Sequence, residues 1–172
     1  MATKNSELRA EVLTQEAFSA FGDVIEVGDT KETRTINEGN TLRYHDLAKL
    51  TLSSESGQPA ISIFRSQPQA LPFEIKLMER HPLSSQAFFP LGTEPYLIVV
   101  APAGELKSNK IRAFVASSHQ GVNYHPGTWH HYSLALKDIS DFLVVDRIVL
   151  GDADADANCD EIFLDQAIAV NI

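Results

Sequence analysis

Apolar residues recur at every second position in short segments of the chain, and turn-forming residues separate these segments roughly every 8–12 residues. This period is typical of half-buried β-strands, whose successive side chains point to opposite faces. One run, 96–101, is apolar throughout, as expected for a strand that is buried on both faces. The other main predicted strands are 8–13, 24–27, 60–64, 73–78, 111–116, 122–125, 130–136 and 142–149.

One short helix interrupts this pattern near the N-terminus. Thr14 is a suitable cap for a helix over 15–21, and Gly22 is placed to end it. Long helical periodicities are missing from the sequence. At least eight short strands and one small helix predict an all-β fold, which is either a β-sandwich or a barrel.

Three of the six histidines lie in the segment 121–131, on either side of a Pro-Gly turn. After the turn, alternation places His130 on one strand face with Tyr132, Leu134 and Leu136. A histidine at the rim of an inward face suits a metal ligand or a proton carrier. The alternative is a buried imidazole that is merely hydrogen-bonded.

A second polar group continues an apolar strand face. Phe73, Ile75 and Leu77 alternate with residues 74, 76 and 78 on the opposite face, and the same register places Glu79 and His81 on the face of Phe73. Burying Glu79 without a partner is costly, so the fold must supply a cation, a hydrogen bond or a proton. A bulge in this strand would reverse the assignment.

The segment 43–47 is also dense in functional groups. Arg43 and His45 are predicted to share a strand face, opposite Tyr44 and Asp46. Arg43 is a candidate for clamping a carboxylate through two hydrogen bonds. A surface ion pair is an equally good interpretation.

The length of the chain and its net charge indicate how many domains it forms and which partners it does not bind. A chain of 172 residues is long enough for one domain with a real core, and we expect a single domain over 1–172. The net charge of −9, without any run of Lys and Arg, argues against binding to nucleic acid or anionic membranes.

The cysteine count and the first residues predict a cytoplasmic protein. Cys159 is the single cysteine, which rules out an intrachain disulfide and any zinc site that needs two or more cysteines. The segment 1–7 lacks the apolar core of a signal peptide, and no apolar run approaches ~20 residues.

The end of the chain is acidic, with alternating aspartates from Asp152 to Asp156 followed by Asp160 and Glu161. A calcium-binding loop that starts at Asp152 needs Gly at its sixth position and Glu at its twelfth. Those positions hold Ala157 and Phe163. We therefore predict a solvated acidic loop over 152–161, followed by a tail.

Two separated stretches resemble the two motifs of the cupin jelly roll, which are similar to G-x5-H-x-H-x3,4-E-x6-G and G-x5-P-x-G-x2-H-x3-N. In the first, Glu79 stands in place of the first histidine, His81 matches the second, and Gln86 replaces the glutamate. In the second, Gly127 and His130 match the motif. Its proline is displaced by one residue, and its final asparagine falls on Leu134.

Five blocks spread over nearly the whole chain resemble one cupin branch, the ureidoglycolate lyase family of allantoin degradation. They are the segments 15–19, 43–48, 79–88, 120–131 and 141–147, in the expected order. The resemblance implies a cupin-like double-stranded β-barrel and a homodimeric cytoplasmic enzyme. It also implies cleavage of ureidoglycolate to glyoxylate and urea, in purine breakdown.

The resemblance implies an active site inside the barrel. The predicted catalytic residues are Glu79, His81 and His130, and the predicted substrate-binding residues are Arg43, Tyr124 and His125. If a divalent metal such as nickel, zinc or manganese binds, its predicted ligands are Glu79, His81, Gln86 and His130. No organic cofactor is expected.

Three alternatives stay open from the sequence. A non-catalytic cupin would bind a small carboxylate without releasing urea. A ureidoglycolate amidohydrolase would release ammonia from the same substrate. A metal-dependent cupin oxygenase or isomerase would need a tightly held metal, for which Gln86 is an unfavourable ligand because it replaces a carboxylate.

Overall fold

The computed structural model describes residues 7–28, 32–53, 57–149 and 158–172, and they form an all-β structure. Two β-sheets and one separate hairpin account for the strands of these residues. The strands are β1 (Glu7–Arg9), β2 (Glu11–Val12), β3 (Gly22–Ile25), β4 (Thr33–Ile36), β5 (Thr41–Tyr44), β6 (Gly57–Ser66), β7 (Phe73–Arg80), β8 (Gln86–Pro90), β9 (Tyr96–Ala101), β10 (Arg112–Ala116), β11 (Gly121–Tyr124), β12 (Trp129–His130), β13 (Leu134–Ala135), β14 (Ser140–Val149) and β15 (Asp160–Asn171).

The larger sheet, sheet A, has the strand order β1-β15-β7-β12-β9-β10-β2, and β13 also pairs with β9. The smaller sheet, sheet B, has the order β3-β11-β8-β14-β6. Strands β4 and β5 pair only with each other among the described strands. The two sheets enclose a shared interior, as in the cupin-like double-stranded β-barrel that the sequence predicts.

The helix α1 (Gln15–Phe18) is shorter than predicted, although its cap is confirmed. The Thr14 hydroxyl accepts a hydrogen bond from the Ala17 amide at 3.1 Å. Gly22 begins β3 in the structure. This position requires glycine because β3 passes close to β11, and a Cβ here would lie 2.0 Å from the Asn123 carbonyl oxygen. Two 3₁₀ helices, Asn37–Gly39 and Ser108–Lys110, lie in connections.

Two buried apolar clusters lie on opposite sides of sheet A. The first fills the barrel interior between the sheets, where Tyr96, Ile98 and Val100 of β9 meet Phe88 and Phe142 of sheet B. The second lies on the other face of sheet A and includes Leu97, Val99, Ala101 and Trp129. Alternate residues of β9 thus belong to the two clusters, which confirms that this strand is buried on both faces.

The strict alternation predicted for 73–81 is wrong. Ile75 and Met78, three residues apart, are both fully buried in the outer cluster of sheet A. The pairing of β7 with β15 also shifts register in this region, between Phe163 and Ile168, where β15 carries the extra residues. Because Met78 shares the outer face with Ile75, Glu79 lies on the opposite face and does not continue the face of Ile75.

The face predicted to join His130 with Leu134 is also wrong. His130 pairs with Val100, whereas Leu134 pairs with Leu97 and lies in the outer cluster. The four steps from His130 to Leu134 thus match only three steps on β9, from Val100 to Leu97. This extra residue places the Leu134 side chain on the face opposite to that of His130. Tyr132 is 45% exposed and lies outside both clusters.

The predicted acidic loop is wrong at its end. The part of the predicted loop over 152–157 lies outside the described residues. Asp160 and Glu161 begin strand β15, which the sequence analysis missed. Asp160 accepts a hydrogen bond from Arg80 at 2.8 Å. Among the described residues, none of the helices is long and apolar enough to cross a membrane.

Candidate active site

Strand pairing in sheet A brings Glu79 and His130 together. They are direct partners across β7 and β12, and the Nε2 atom of His130 lies 3.4 Å from a Glu79 carboxylate oxygen. His81 follows β7 directly, and its ring centroid lies 5.2 Å from that of His130. One ligand atom from each of the three residues lies within 4.8 Å of the others. The structure therefore gathers the three predicted catalytic residues in one place.

Backbone carbonyls fix the orientation of both imidazoles. The Nδ1 atom of His81 lies 2.7 Å from the Asn158 carbonyl oxygen, and that of His130 lies 3.1 Å from the Thr128 carbonyl oxygen. A carbonyl oxygen only accepts, so each Nδ1 carries the proton and donates it. Both Nε2 atoms are buried and lack a hydrogen-bond partner within the described parts of the chain. The two histidines thus present Nε2 atoms to the site.

The charges of the site favour an ionised Glu79 and a neutral His81. Burial acts to raise the pKa of Glu79, but its contact with His130 and the neighbouring histidine charges together hold this pKa below the ordinary value. Burial, and then the charge of His130, lower the pKa of His81. Burial also lowers the pKa of His131 to about 4.

Tyr124, a predicted substrate-binding residue, supports His130 from the barrel interior. Its ring stacks on the His130 imidazole, with centroids 4.4 Å apart and planes 14° apart. Burial, with a smaller effect of the Glu79 charge, raises the pKa of Tyr124 well above its ordinary value, so the phenol stays protonated. The ring therefore limits where the His130 imidazole can lie.

Sheet B contributes two further polar side chains to the interior. Gln86 pairs with Tyr124 across β8 and β11, so both side chains lie on the inner face. Asp146 follows the buried residues Phe142 and Val144 at alternate positions of β14, which places it on the same inner face. The Nε2 atom of Gln86 donates to Asp146 over 3.4 Å.

The structure does not bring Arg43 and His125 to this cluster. Arg43 is exposed on the β4–β5 hairpin, opposite Arg34. His125 is half-exposed, and its Nε2 atom lies 3.3 Å from an Asp23 carboxylate oxygen. With Asp23, His45 and Lys49, His125 lines a groove of about 800 Å³ beside β3. Their predicted contacts with the substrate stay predictions.

The donor atoms of the cluster fit a divalent metal. A carboxylate and two imidazoles are common ligands of zinc, nickel and manganese in proteins. The bonds from Nδ1 to backbone carbonyls are the usual outer support of a metal-binding histidine. Glu79, His81 and His130 thus satisfy the requirements for three ligands, and Gln86 stays the predicted fourth.

Several residues around Glu79 were not predicted from the sequence. Cys159 and Glu161 place a sulfur and a carboxylate oxygen within 4.8 Å of the Glu79 carboxylate. Asn158 holds His81, and its side-chain oxygen accepts from the Leu83 amide at 2.7 Å. Their positions follow from the pairing of β15 with β7, for which the sequence gives no local signal at 158–161.

The chain is similar to known proteins over nearly its whole length. Residues 5–171 match the family model for ureidoglycolate lyase. A ureidoglycolate lyase of Burkholderia mallei (strain NCTC 10229) is 56% identical over 140 residues, which cover 81% of this chain and 82% of that protein. One of Burkholderia cepacia is 51% identical and covers 95% and 89%, respectively. One of Pseudomonas fluorescens (strain Pf0-1) is 48% identical and covers 91% and 90%. The chain belongs to the ureidoglycolate lyase family.

Proposed function

We propose that this protein cleaves ureidoglycolate into glyoxylate and urea. The observation that carries the proposal is the convergence of Glu79, His81 and His130 inside the barrel of a chain that belongs to this family. Acid–base elimination needs groups that take and give protons, held close to the reacting atoms. The cluster supplies a carboxylate and two imidazoles within reach of one small substrate.

The reaction moves one proton and breaks one carbon–nitrogen bond. The substrate carbon carries a hydroxyl group, a ureido nitrogen and a carboxylate. Loss of the hydroxyl proton lets the oxygen form a double bond to carbon, while the carbon–nitrogen bonding pair leaves with nitrogen. That nitrogen takes a proton and departs as urea. No water is consumed, and the products are glyoxylate and urea.

In direct proton transfer, the ionised Glu79 accepts the hydroxyl proton, since its lowered pKa keeps it a carboxylate. The Nε2 atom of His130, 3.4 Å from Glu79, takes this proton from the Glu79 carboxyl and passes it to the leaving nitrogen, so both groups return to their starting states. Tyr124 holds the His130 ring by stacking. The apolar interior beyond them excludes water from the reacting atoms.

We also propose that Glu79, His81 and His130 hold a divalent metal, with Gln86 as fourth ligand. When bound, such an ion supplies a Lewis acid that lowers the pKa of the substrate hydroxyl. The support is the set of donor atoms within 4.8 Å and the two Nε2 atoms left for a ligand. With a metal bound, Glu79 is a ligand and is not free to take the hydroxyl proton. Activity measured after metal removal therefore distinguishes direct proton transfer from the metal-assisted reaction.

The test supplies ureidoglycolate to the purified protein and assays urea and ammonia separately, with and without a chelator. The lyase yields urea and no ammonia. Ammonia without urea would establish the amidohydrolase, and binding without either product would establish a non-catalytic cupin. Loss of activity after chelation, restored by one added metal, supports the metal role. An unchanged rate after verified metal removal would discard it.

We further propose a homodimer that forms through the outer face of sheet B. Ile61 and Ile63 of β6 are 74% and 55% exposed. They pair with Val145 and Leu143, and Leu143 pairs in turn with Phe89, all on the face opposite to the barrel interior. These side chains form a contiguous apolar surface next to an edge strand, which is typical of an interface.

The size of the protein in solution tests the dimer. We expect twice the chain mass of 18.9 kDa by light scattering, and one chain mass for Ile63→Lys. Val12→Lys is the matched control, because Val12 is 77% exposed on β2, an edge strand of the other sheet, sheet A. A wild-type monomer, or an Ile63→Lys dimer as stable as the wild type, would overturn this interface.

The resemblance also supports a cytoplasmic location and a step in allantoin breakdown. The single cysteine fits a reducing compartment. Fractionation of the cells that make the protein tests the location, which fails if the activity separates with the periplasm or membranes.

A further inference from the structure

Asp146 is a charged residue of the barrel interior to which the reaction above gives no role. It lies two residues after Val144, which is fully buried in the inner cluster, and its Oδ2 atom accepts from Gln86, so it faces the barrel interior from sheet B. Glu79, His81 and His130 face this interior from sheet A or its edge. Asp146 lies close enough to His81 for its charge to affect that imidazole.

The hydrogen bonds of Asp146 leave one oxygen available. Gln86 donates to Oδ2 over 3.4 Å, which is longer than an ordinary hydrogen bond. Oδ1 is buried and has no hydrogen-bond partner in the part of the chain that the structure describes. A buried carboxylate oxygen without a donor lowers stability unless a bound water, ion or ligand supplies the donor.

The charge of Asp146 also restricts how a substrate enters. A carboxylate repels another carboxylate in the apolar barrel interior, where the dielectric constant is low, so the acid end of ureidoglycolate must lie away from Asp146. The opposite end of the substrate is a ureido group, which carries three N–H donors. Donors at that end match the acceptor oxygen that Asp146 presents.

We propose that Asp146 binds the ureido N–H groups of the substrate and so selects ureido compounds over other hydroxy acids. The inference rests on the proposed function, since it takes ureidoglycolate as the substrate. Asp146 is then a specificity-determining residue that holds the leaving urea, and Gln86 positions its carboxylate. It does not take part in the proton transfer.

The experiment measures the binding of two probes by calorimetry. Oxalurate carries the ureido group but has no hydroxyl proton to lose, and glycolate carries the carboxylate and hydroxyl without the ureido group. In Asp146→Asn, we expect oxalurate to bind about 10–100-fold more weakly, which is the usual effect of losing a hydrogen bond to a charged group. We expect glycolate to bind no more weakly than it does to the wild type, because it has no ureido donors to lose and its carboxylate no longer meets the charge of Asp146.

Asp141→Asn is the matched control, because Asp141 lies on the same strand, five positions earlier, in an ion pair with Arg65 that faces solvent. It should bind both probes as the wild type does. Asp146→Ser is a second variant, to be used if the asparagine variant does not fold.

Unchanged oxalurate binding, or equal weakening of oxalurate and glycolate, would overturn the proposal. Urea release by the wild type tests the lyase activity separately. A wild type that forms no urea, but loses oxalurate binding with Asp146→Asn, would refute the proposed function and leave this inference standing.

Discussion

Replacing His130 with asparagine removes the Nε2 atom from the site while keeping most of its surroundings. The asparagine amide can donate to the Thr128 carbonyl oxygen in place of Nδ1, which makes that bond at 3.1 Å in the wild type. What is lost is the atom that lies 3.4 Å from Glu79. The variant therefore tests the proton carrier with little change in the fold.

The expected effects on rate and stability differ in size. Loss of a general acid or base lowers kcat about 10²–10⁴-fold, or roughly 3–5 kcal/mol of barrier. The stability cost is the ring stacking on Tyr124, about 0.5–1.5 kcal/mol, plus a small cavity at a site that is fully buried. A total of about 1–3 kcal/mol is less than the usual stability of a domain, about 5–15 kcal/mol, so the variant stays folded.

The assay is steady-state urea release at saturating ureidoglycolate, with circular dichroism and thermal unfolding measured on the same samples. His119→Asn is the matched control, because His119 is exposed in the turn between β10 and β11 and does not belong to the cluster. It should keep the wild-type kcat. A folded His130→Asn protein with kcat within about three-fold of the wild type would refute the role of His130.

Two further predictions concern backbone packing and the metal. Gly22→Ala should lower the free energy of unfolding by about 3 kcal/mol in urea denaturation, since its Cβ would lie 2.0 Å from the Asn123 carbonyl oxygen. Gly92→Ala, where nothing lies within 4 Å, should change it by less than about 1 kcal/mol, and equal effects would contradict the packing argument. Added nickel, zinc or manganese should raise the unfolding temperature. At a metal concentration 100 times the dissociation constant, the free energy of unfolding should rise by about 2.7 kcal/mol. Glu79→Gln should lose most of this shift, whereas the exposed Glu74→Gln should keep it, and an equal shift in both variants would remove Glu79 as a ligand.

The sequence predicts a strand correctly where its apolar pattern continues without interruption from one end of the segment to the other. Strand β9 is buried on both faces, as its continuous apolar run indicates. Prediction failed at Met78 and Leu134, where a bulge or an extra residue reverses the faces. Such a shift depends on the partner strand, so the period of one segment cannot reveal it.

The failure to predict strand β15 has a different cause. Leu164, Ile168 and Val170 alternate, which was a usable signal for a strand. The aspartates before it favoured a solvated loop instead, because a single sequence does not show that Asp160 pairs with Arg80. Charged residues can begin a strand when a neighbouring strand supplies the opposite charge.

The site was only partly predictable. Glu79 and His130 are far apart in sequence and meet because β7 pairs with β12, so their proximity rested on the motif resemblance. Asp146 was missed although it continues the alternation of Phe142 and Val144, which places it inside the barrel. Its unpartnered oxygen is a property of the folded interior and leaves no trace in the sequence.

The central claim is that the reaction takes place inside the barrel at Glu79, His81 and His130, and a crystal structure of the protein with bound oxalurate tests it most directly. We predict that oxalurate lies between these residues and Asp146, with its ureido group toward sheet B. Oxalurate bound instead in the groove beside β3, against Asp23 and His125, would contradict the account.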